Sequence, residues 1–145
     1  MKATIKQVVD CYNLLEKAKA TKLEVADVIK ILEARKAMRP TFKEHEDFLK
    51  DCQEKFKPDN WDDVQAKVQQ WQKEGENTTL TEAERIEINK ALIGYQSKIN
   101  EALKGELARE VEISVESLSK ETRAKLMVEN GWSVSELEIV EVVLQ

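Results

Sequence analysis

Leu23–Phe56, LEVADVIKILEARKAMRPTFKEHEDFLKDCQEKF, is the stretch on which the reading of this chain turns. Its apolar residues Val25, Val28, Ile29 and Leu32, then Phe42, Leu49, Cys52 and Phe56, recur at helical spacing. Residues three and four apart share one face of an α-helix, so this is an amphipathic stripe that needs covering. Pro40 interrupts the run. Proline lacks a backbone N–H and its ring clashes with the carbonyl four residues earlier, so the spacing predicts two collinear or elbowed helices, about 22–39 and 41–57. Thr21 with Glu24, and Thr41 with Glu44, have the cap-plus-acid spacing of helix starts.

Working outward, residues 3–19 read as a first helix with Ile5, Val8, Val9, Tyr12 and Leu15 on one face. The short link to Thr21 makes it an antiparallel neighbour of the next helix. Beyond Pro58-Asp59-Asn60, where Asn60 is placed to cap, Trp61, Val64, Val68 and Trp71 form a narrow stripe on a helix over 61–74. Gly75 ends it. Thr81 and Glu84 open a long helix over 82–104 with Ile88, Leu92, Tyr95, Ile99 and Leu103 in register. Gly94 in its middle implies close backbone approach or a bend, and Gly105 closes it. Glu110-Val111-Glu112-Ile113-Ser114-Val115-Glu116 then alternates without exception, the pattern of a half-buried strand. Ser119 starts a short helix ending at Asn130-Gly131, with Trp132 anchoring the turn. Ser133 and Glu136 form a last capping box before a helix over 134–144, where β-branched Ile139, Val140, Val142 and Val143 keep a strand open as the alternative.

The expected architecture is mainly α: an antiparallel bundle of five to six helices with one short β segment near 110–116. Residues 1–105 would form the bundle, and 106–145 a strand–helix–helix subdomain packed on it. With the final segment helical, the strand has no partner in its own sequence. It would then pair with a second copy, giving a weak homodimer, or accept a strand from a basic partner.

The 145 residues are 41% hydrophobic and 35% charged, with only 4 Gly and 2 Pro, which suits helices with solvated outer faces. A net charge of −5 argues for a cytoplasmic chain and against nucleic-acid binding, which needs a basic field. No apolar run reaches the ~20 residues of a membrane span, and no apolar leader follows Met1. Residues 1–57 carry 13 Lys/Arg against 10 Asp/Glu, whereas 58–145 carry 10 against 18. The signs are interleaved, so complementarity between the halves is the simplest account. Cys11 and Cys52, set among apolar neighbours, read as buried reduced thiols. Asn77-Thr78-Thr79 matches a glycosylation acceptor only by chance in such a chain.

Candidate chemistry is sparse. His45 is the only histidine, and its neighbours Glu44 and Glu46 point in different directions around a helix, so no metal site is expected. Without a base histidine near a Ser or Cys the nucleophilic arrangements lack their central member, and the scattered glycines make no phosphate-cradling loop. Asp62/Asp63 and Glu82/Glu84 stand where helix dipoles favour them. No catalytic residue and no cofactor is therefore expected. The candidate interaction surface comprises Arg35, Lys36, Arg39 and Lys43 around Pro40, together with Trp61, Trp71 and Ile113. The cations suit a protein partner or the acidic C-terminal third, and only Phe42 interleaves them, so a stacking platform for nucleic acid is poorly supported. The tryptophans are either core or an interface patch.

Lys22-Leu23-Glu24-Val25, Ala37-Met38-Arg39-Pro40, Glu110-Val111-Glu112-Ile113 and Ser133-Val134-Ser135-Glu136-Leu137 follow one another in an order that resembles a group of small, mostly uncharacterised phage and prophage proteins. Trp61–Thr79 departs from that group, in which a variable acidic insert is usual. The resemblance implies a phage or prophage origin and supplies no site residues. The expectation is a non-enzymatic protein–protein interaction factor, accessory or virion-associated, in the bacterial cytoplasm. The alternative is an inhibitor of a host nuclease or defence effector, acting through an acidic helical surface.

Overall fold

The computed structural model describes residues 1–145. It is 76% helical, with six helices and a two-stranded antiparallel sheet. In chain order these are β1 (Lys2–Thr4), α1 (Ile5–Lys17), α2 (Val25–Lys55), α3 (Trp61–Glu74), a 3-10 turn (Gly75–Asn77), α4 (Glu82–Ala108), β2 (Glu110–Glu112), α5 (Lys120–Asn130) and α6 (Val134–Leu144). Two compact units result: residues 1–47 with 105–145, and residues 48–104. The division expected at residue 105 gives way, because the N-terminal segment folds with the C-terminal third.

The reason lies in the first four residues. They extend the chain instead of starting a helix, and pair Lys2, Ala3 and Thr4 with Glu112, Val111 and Glu110. Met1 and Ile113 continue the ladder by exchanging two bonds of 2.9 and 3.0 Å, and the Ile5 N–H donates to Arg109. Thr4 ends the strand and caps α1 through a capping box with Gln7. The strand at 110–116 thus has an intramolecular partner after all, while 134–144 is helical as expected. The premise that this strand lacks a partner in its own sequence fails, because residues 3 and 4 extend and pair with it instead of joining the first helix.

In this unit α1 buries Ile5, Val8, Val9, Cys11, Tyr12 and Leu15, and α6 contributes Val140, Val143 and Leu144. Leu126, Trp132, Ile113 and Leu118 complete the cluster. Gly131 takes φ 62°, which only glycine adopts freely, and Trp132 donates back to Met127 at 3.0 Å. Glu129 and Asn130 at the end of α5 clasp the link after α1. Asn130 accepts from the Lys19 N–H at 2.7 Å and donates to the Lys19 carbonyl at 2.9 Å. Glu129 accepts from the Thr21 N–H and hydroxyl. Thr21 therefore does not cap α2, which begins four residues later at Val25.

Pro40 does not break α2; one helix runs from Val25 to Lys55 through it. Pro40 is exposed, so the carbonyl it leaves unpaired is on a side open to water, which lowers the cost of an interior proline. In the first half of α2 the buried residues are not those the periodicity singled out, while Cys52 further along is buried as expected. Ile31, Ala34 and Met38 enter the core, with Phe42 stacked on Tyr12 at 4.4 Å, whereas Val25, Val28, Ile29 and Leu32 are exposed.

The unit of residues 48–104 has a smaller core: Val64, Leu80 and Ile88, rimmed by half-buried Val68, Trp71, Ala91 and Leu92. Thr81 and Glu84 cap α4 reciprocally as expected, at 3.1 and 3.3 Å. Asn60 makes no side-chain cap. Gly94 has open space where a side chain would stand, so no backbone approaches it, and α4 runs past Gly105 to Ala108.

Candidate docking surfaces

The exposed stripe on α2 is the most unusual surface of the first unit. Val25 is 73% exposed, Ile29 52%, Leu32 43% and Val28 38%. Steps of three and four residues carry the same face onward to Lys36, Arg39 and Lys43, with Arg35 at its edge. One helix face therefore presents four apolar side chains followed by four cations. An apolar residue of that size left in water forgoes ~1.5–3 kcal/mol of burial, so four on one stripe mark a surface that gains by being covered.

The cations are mostly unneutralised. Lys36 is exposed and pairs with Glu33 on its own helix at 3.2 Å. Arg39 and Lys43 are exposed without an ion pair, and half-buried Arg35 has its Nε enclosed and without a hydrogen-bond partner. The C-terminal third makes its polar contacts with α2 elsewhere, and to carboxylates of α2: Thr122 donates to Asp27 at 3.1 Å, and Arg109 stands 3.9 Å from Glu44. The basic cluster is thus not covered by the C-terminal third.

The other candidate residues fall apart spatially. Trp61 lies tilted against Tyr95, ring centres 4.4 Å apart, and Tyr95 donates to the Gln53 carbonyl at 3.3 Å. Trp71 is half-buried and borders an apolar cavity of about 350 Å³ with Val68, Ile88 and Leu92. Both tryptophans therefore share packing with an exposed edge. Ile113 is buried in the core of the first unit and offers no surface, because β1 pairs its strand and turns its side chain inward. His45 is half-buried on α2 with Nδ1 unpartnered. No three His, Cys, Asp or Glu side chains converge. Both cysteines are free and buried, and burial, then the Asp10 charge, push the Cys11 thiol up to about 12.

Sequence periodicity missed the apolar half of this surface by assigning it to the core. The signal that separates the faces is Ile31, Ala34 and Met38, a second helical stripe on the same helix. No helix is long and apolar enough to cross a membrane. No family model, curated protein or solved structure matches this chain.

Proposed function

We propose that this chain is a non-enzymatic protein-interaction factor whose outer α2 face docks an amphipathic helix of a partner protein. The observation that carries the reading is the continuity of Val25, Val28, Ile29 and Leu32 with Arg35, Lys36, Arg39 and Lys43 on one face. Helix-in-groove recognition uses apolar anchors three and four residues apart, with charge fixing register and orientation. The matching partner has apolar anchors followed by carboxylates on the same face. A second copy of α2 matches poorly: antiparallel pairing centred on the apolar stripe carries Lys36, Arg39 and Lys43 past the start of the facing helix at Val25, and parallel pairing stacks cation on cation. A phage or prophage origin, with an accessory or assembly role, belongs to the same proposal and rests on the motif resemblance.

The test uses purified protein and helical peptides with four leucine anchors, flanked on the same face by glutamates or by lysines. Binding of the glutamate peptide, with ¹⁵N shifts along Val25–Lys43 and loss in Leu32→Asp, is the expected result. Equal binding of the lysine peptide, or no binding of either, overturns the proposal.

A further inference from the structure

β2 has a second edge. Met1 and Ile113 exchange both of their backbone bonds, so in an antiparallel ladder the groups of Ala3 and Val111 also point inward between the strands. The N–H and C=O groups of Glu110, Glu112 and Ser114 then point the other way, and nothing in the protein bonds to them. Backbone groups left open in a row template a further strand. Beside that edge lies a groove of about 560 Å³, walled by Ser114, Val115 and Glu116 on one side and by α2 on the other. Its α2 wall has two small side chains one turn apart, Ala34 and Ala37, with Ile29 at the end, and includes Lys30, Glu33 and Lys36. The apolar side chains of an occupant therefore suit this wall, and the occupant's cations suit the glutamate side of β2.

The side chains along this edge specify what fits. Val111 and Val115 are half-buried on the core side, while Glu110, Glu112 and Glu116 are exposed on the other. Glu110 and Glu116 have no ion pair, and Glu112 has only the terminal ammonium, 3.4 Å away. Three carboxylates on one face of an edge strand repel a second copy laid against it, since like charges directly opposite destabilise a pair. They attract a strand bearing cations at alternate positions.

We propose that the open β2 edge and the adjoining α2 groove form a strand-addition site for an extended basic segment of a partner protein. The segment alternates small apolar residues with Lys or Arg. Its backbone pairs with Glu110, Glu112 and Ser114, its cations meet the glutamates, and its apolar side chains enter the groove over Ala34 and Ala37. Strand addition draws affinity from main-chain bonds and selectivity from the alternate side chains. The groove shares Ile29 and Lys36 with the outer α2 face, but the β2 edge and Ala34 and Ala37 lie off that face and Leu32 lies outside the groove, so Leu32→Asp separates the two readings.

The probe is an acetylated, amidated peptide of alternating Lys and Val, compared with its Glu/Val counterpart and with a version N-methylated at alternate residues. Addition of the Lys/Val peptide to ¹⁵N-labelled protein should slow amide exchange at Glu112 and Ser114, and the other two should not. Ser114→Pro, which removes an unbonded N–H at an exposed position beyond β2, should weaken the peptide about tenfold with melting unchanged. Leu32→Asp should leave this binding intact. No binding of the Lys/Val peptide, equal binding of either control, shifts without exchange protection, or sensitivity to Leu32→Asp but not Ser114→Pro each overturns the proposal.

Discussion

Residues 1–47 with 105–145 bury a connected cluster of fifteen side chains, whereas residues 48–104 bury a cluster of three. The difference is one of topology more than of composition. In the first unit, the bonds of Met1 to Ile113 and Lys19 to Asn130 close the chain over most of its length, and Leu118 donates to Leu144 near the C-terminus. Strands, helices and link are thereby all anchored to one core. In the second, the clustered buried residues come from α3, α4 and the link between them, Cys52 and Ile99 are buried outside that cluster, and Trp71 and Leu92 border a cavity. A helix pair of this kind rests on few buried contacts and has backbone bonds open to water, the conditions for opening below the global unfolding energy.

A pair of truncations tests that difference most directly. Leu126 is fully buried in the larger cluster, so Leu126→Ala should cost about 2–5 kcal/mol by urea unfolding. Leu92 occupies a regular heptad-like position on α4 but is only half-buried, so Leu92→Ala should cost about 1 kcal/mol. Equal costs would mean that the second unit is as tightly held as the first.

The cysteines sharpen the same comparison kinetically, because each unit contains one. Both are buried, and the Cys11 thiol is held at about 12, so neither reacts with a disulfide reagent until it is exposed. Cys52 lies in the second unit and should be trapped through local opening, Cys11 only through unfolding of the larger core. At pH 8 Cys52 should react roughly 100-fold faster, the ratio that a ~3 kcal/mol difference in opening energy gives. Coincident rates would show that the two units open as one.

What could be read in advance follows the same line. Helices that announce themselves locally were legible: the capping boxes at Thr81 and Ser133, the stop at Gly131 and the stripe through Ile88 and Ile99 all stand as expected. Features decided by distant contacts were not. Lys2–Thr4 has no strand signature of its own and becomes a strand only because Glu110–Glu112 is there to pair with it. Pro40 signals a break, yet the core contacts of Met38 and Phe42 on either side keep α2 continuous. The candidate surface was half legible. Charge marks Arg35, Lys36, Arg39 and Lys43 wherever they stand, but α2 has two apolar stripes, and only the fold decides which of them is left in water. That the 110–116 strand accepts a further strand is legible in its alternation, but only the pairing with β1 decides which edge stays open.

The smallest expected effect belongs to the clasp between α5 and the link after α1, which is exposed and confined to the first unit. The Thr21 hydroxyl, and then the Thr21 and Lys22 N–H groups, donate to Glu129 and hold its carboxyl below the ordinary range. These bonds favour the ionised form, so Glu129 titrates at lower pH folded than unfolded. Its contribution is therefore fully present above the unfolded carboxylate value and is lost as pH falls through the folded one. Glu129→Gln should lower the urea midpoint slightly at neutral pH, and the gap from wild type should close as pH drops through the carboxylate range. Thr21→Val should reproduce that pattern, since it removes the principal donor from the other side. Because the clasp lies outside residues 48–104, the Cys52 trapping rate should be untouched in both variants. A gap that stays constant with pH would assign the effect to shape rather than to the ionised carboxylate, and a faster Cys52 would mean that the clasp also governs opening of the smaller unit.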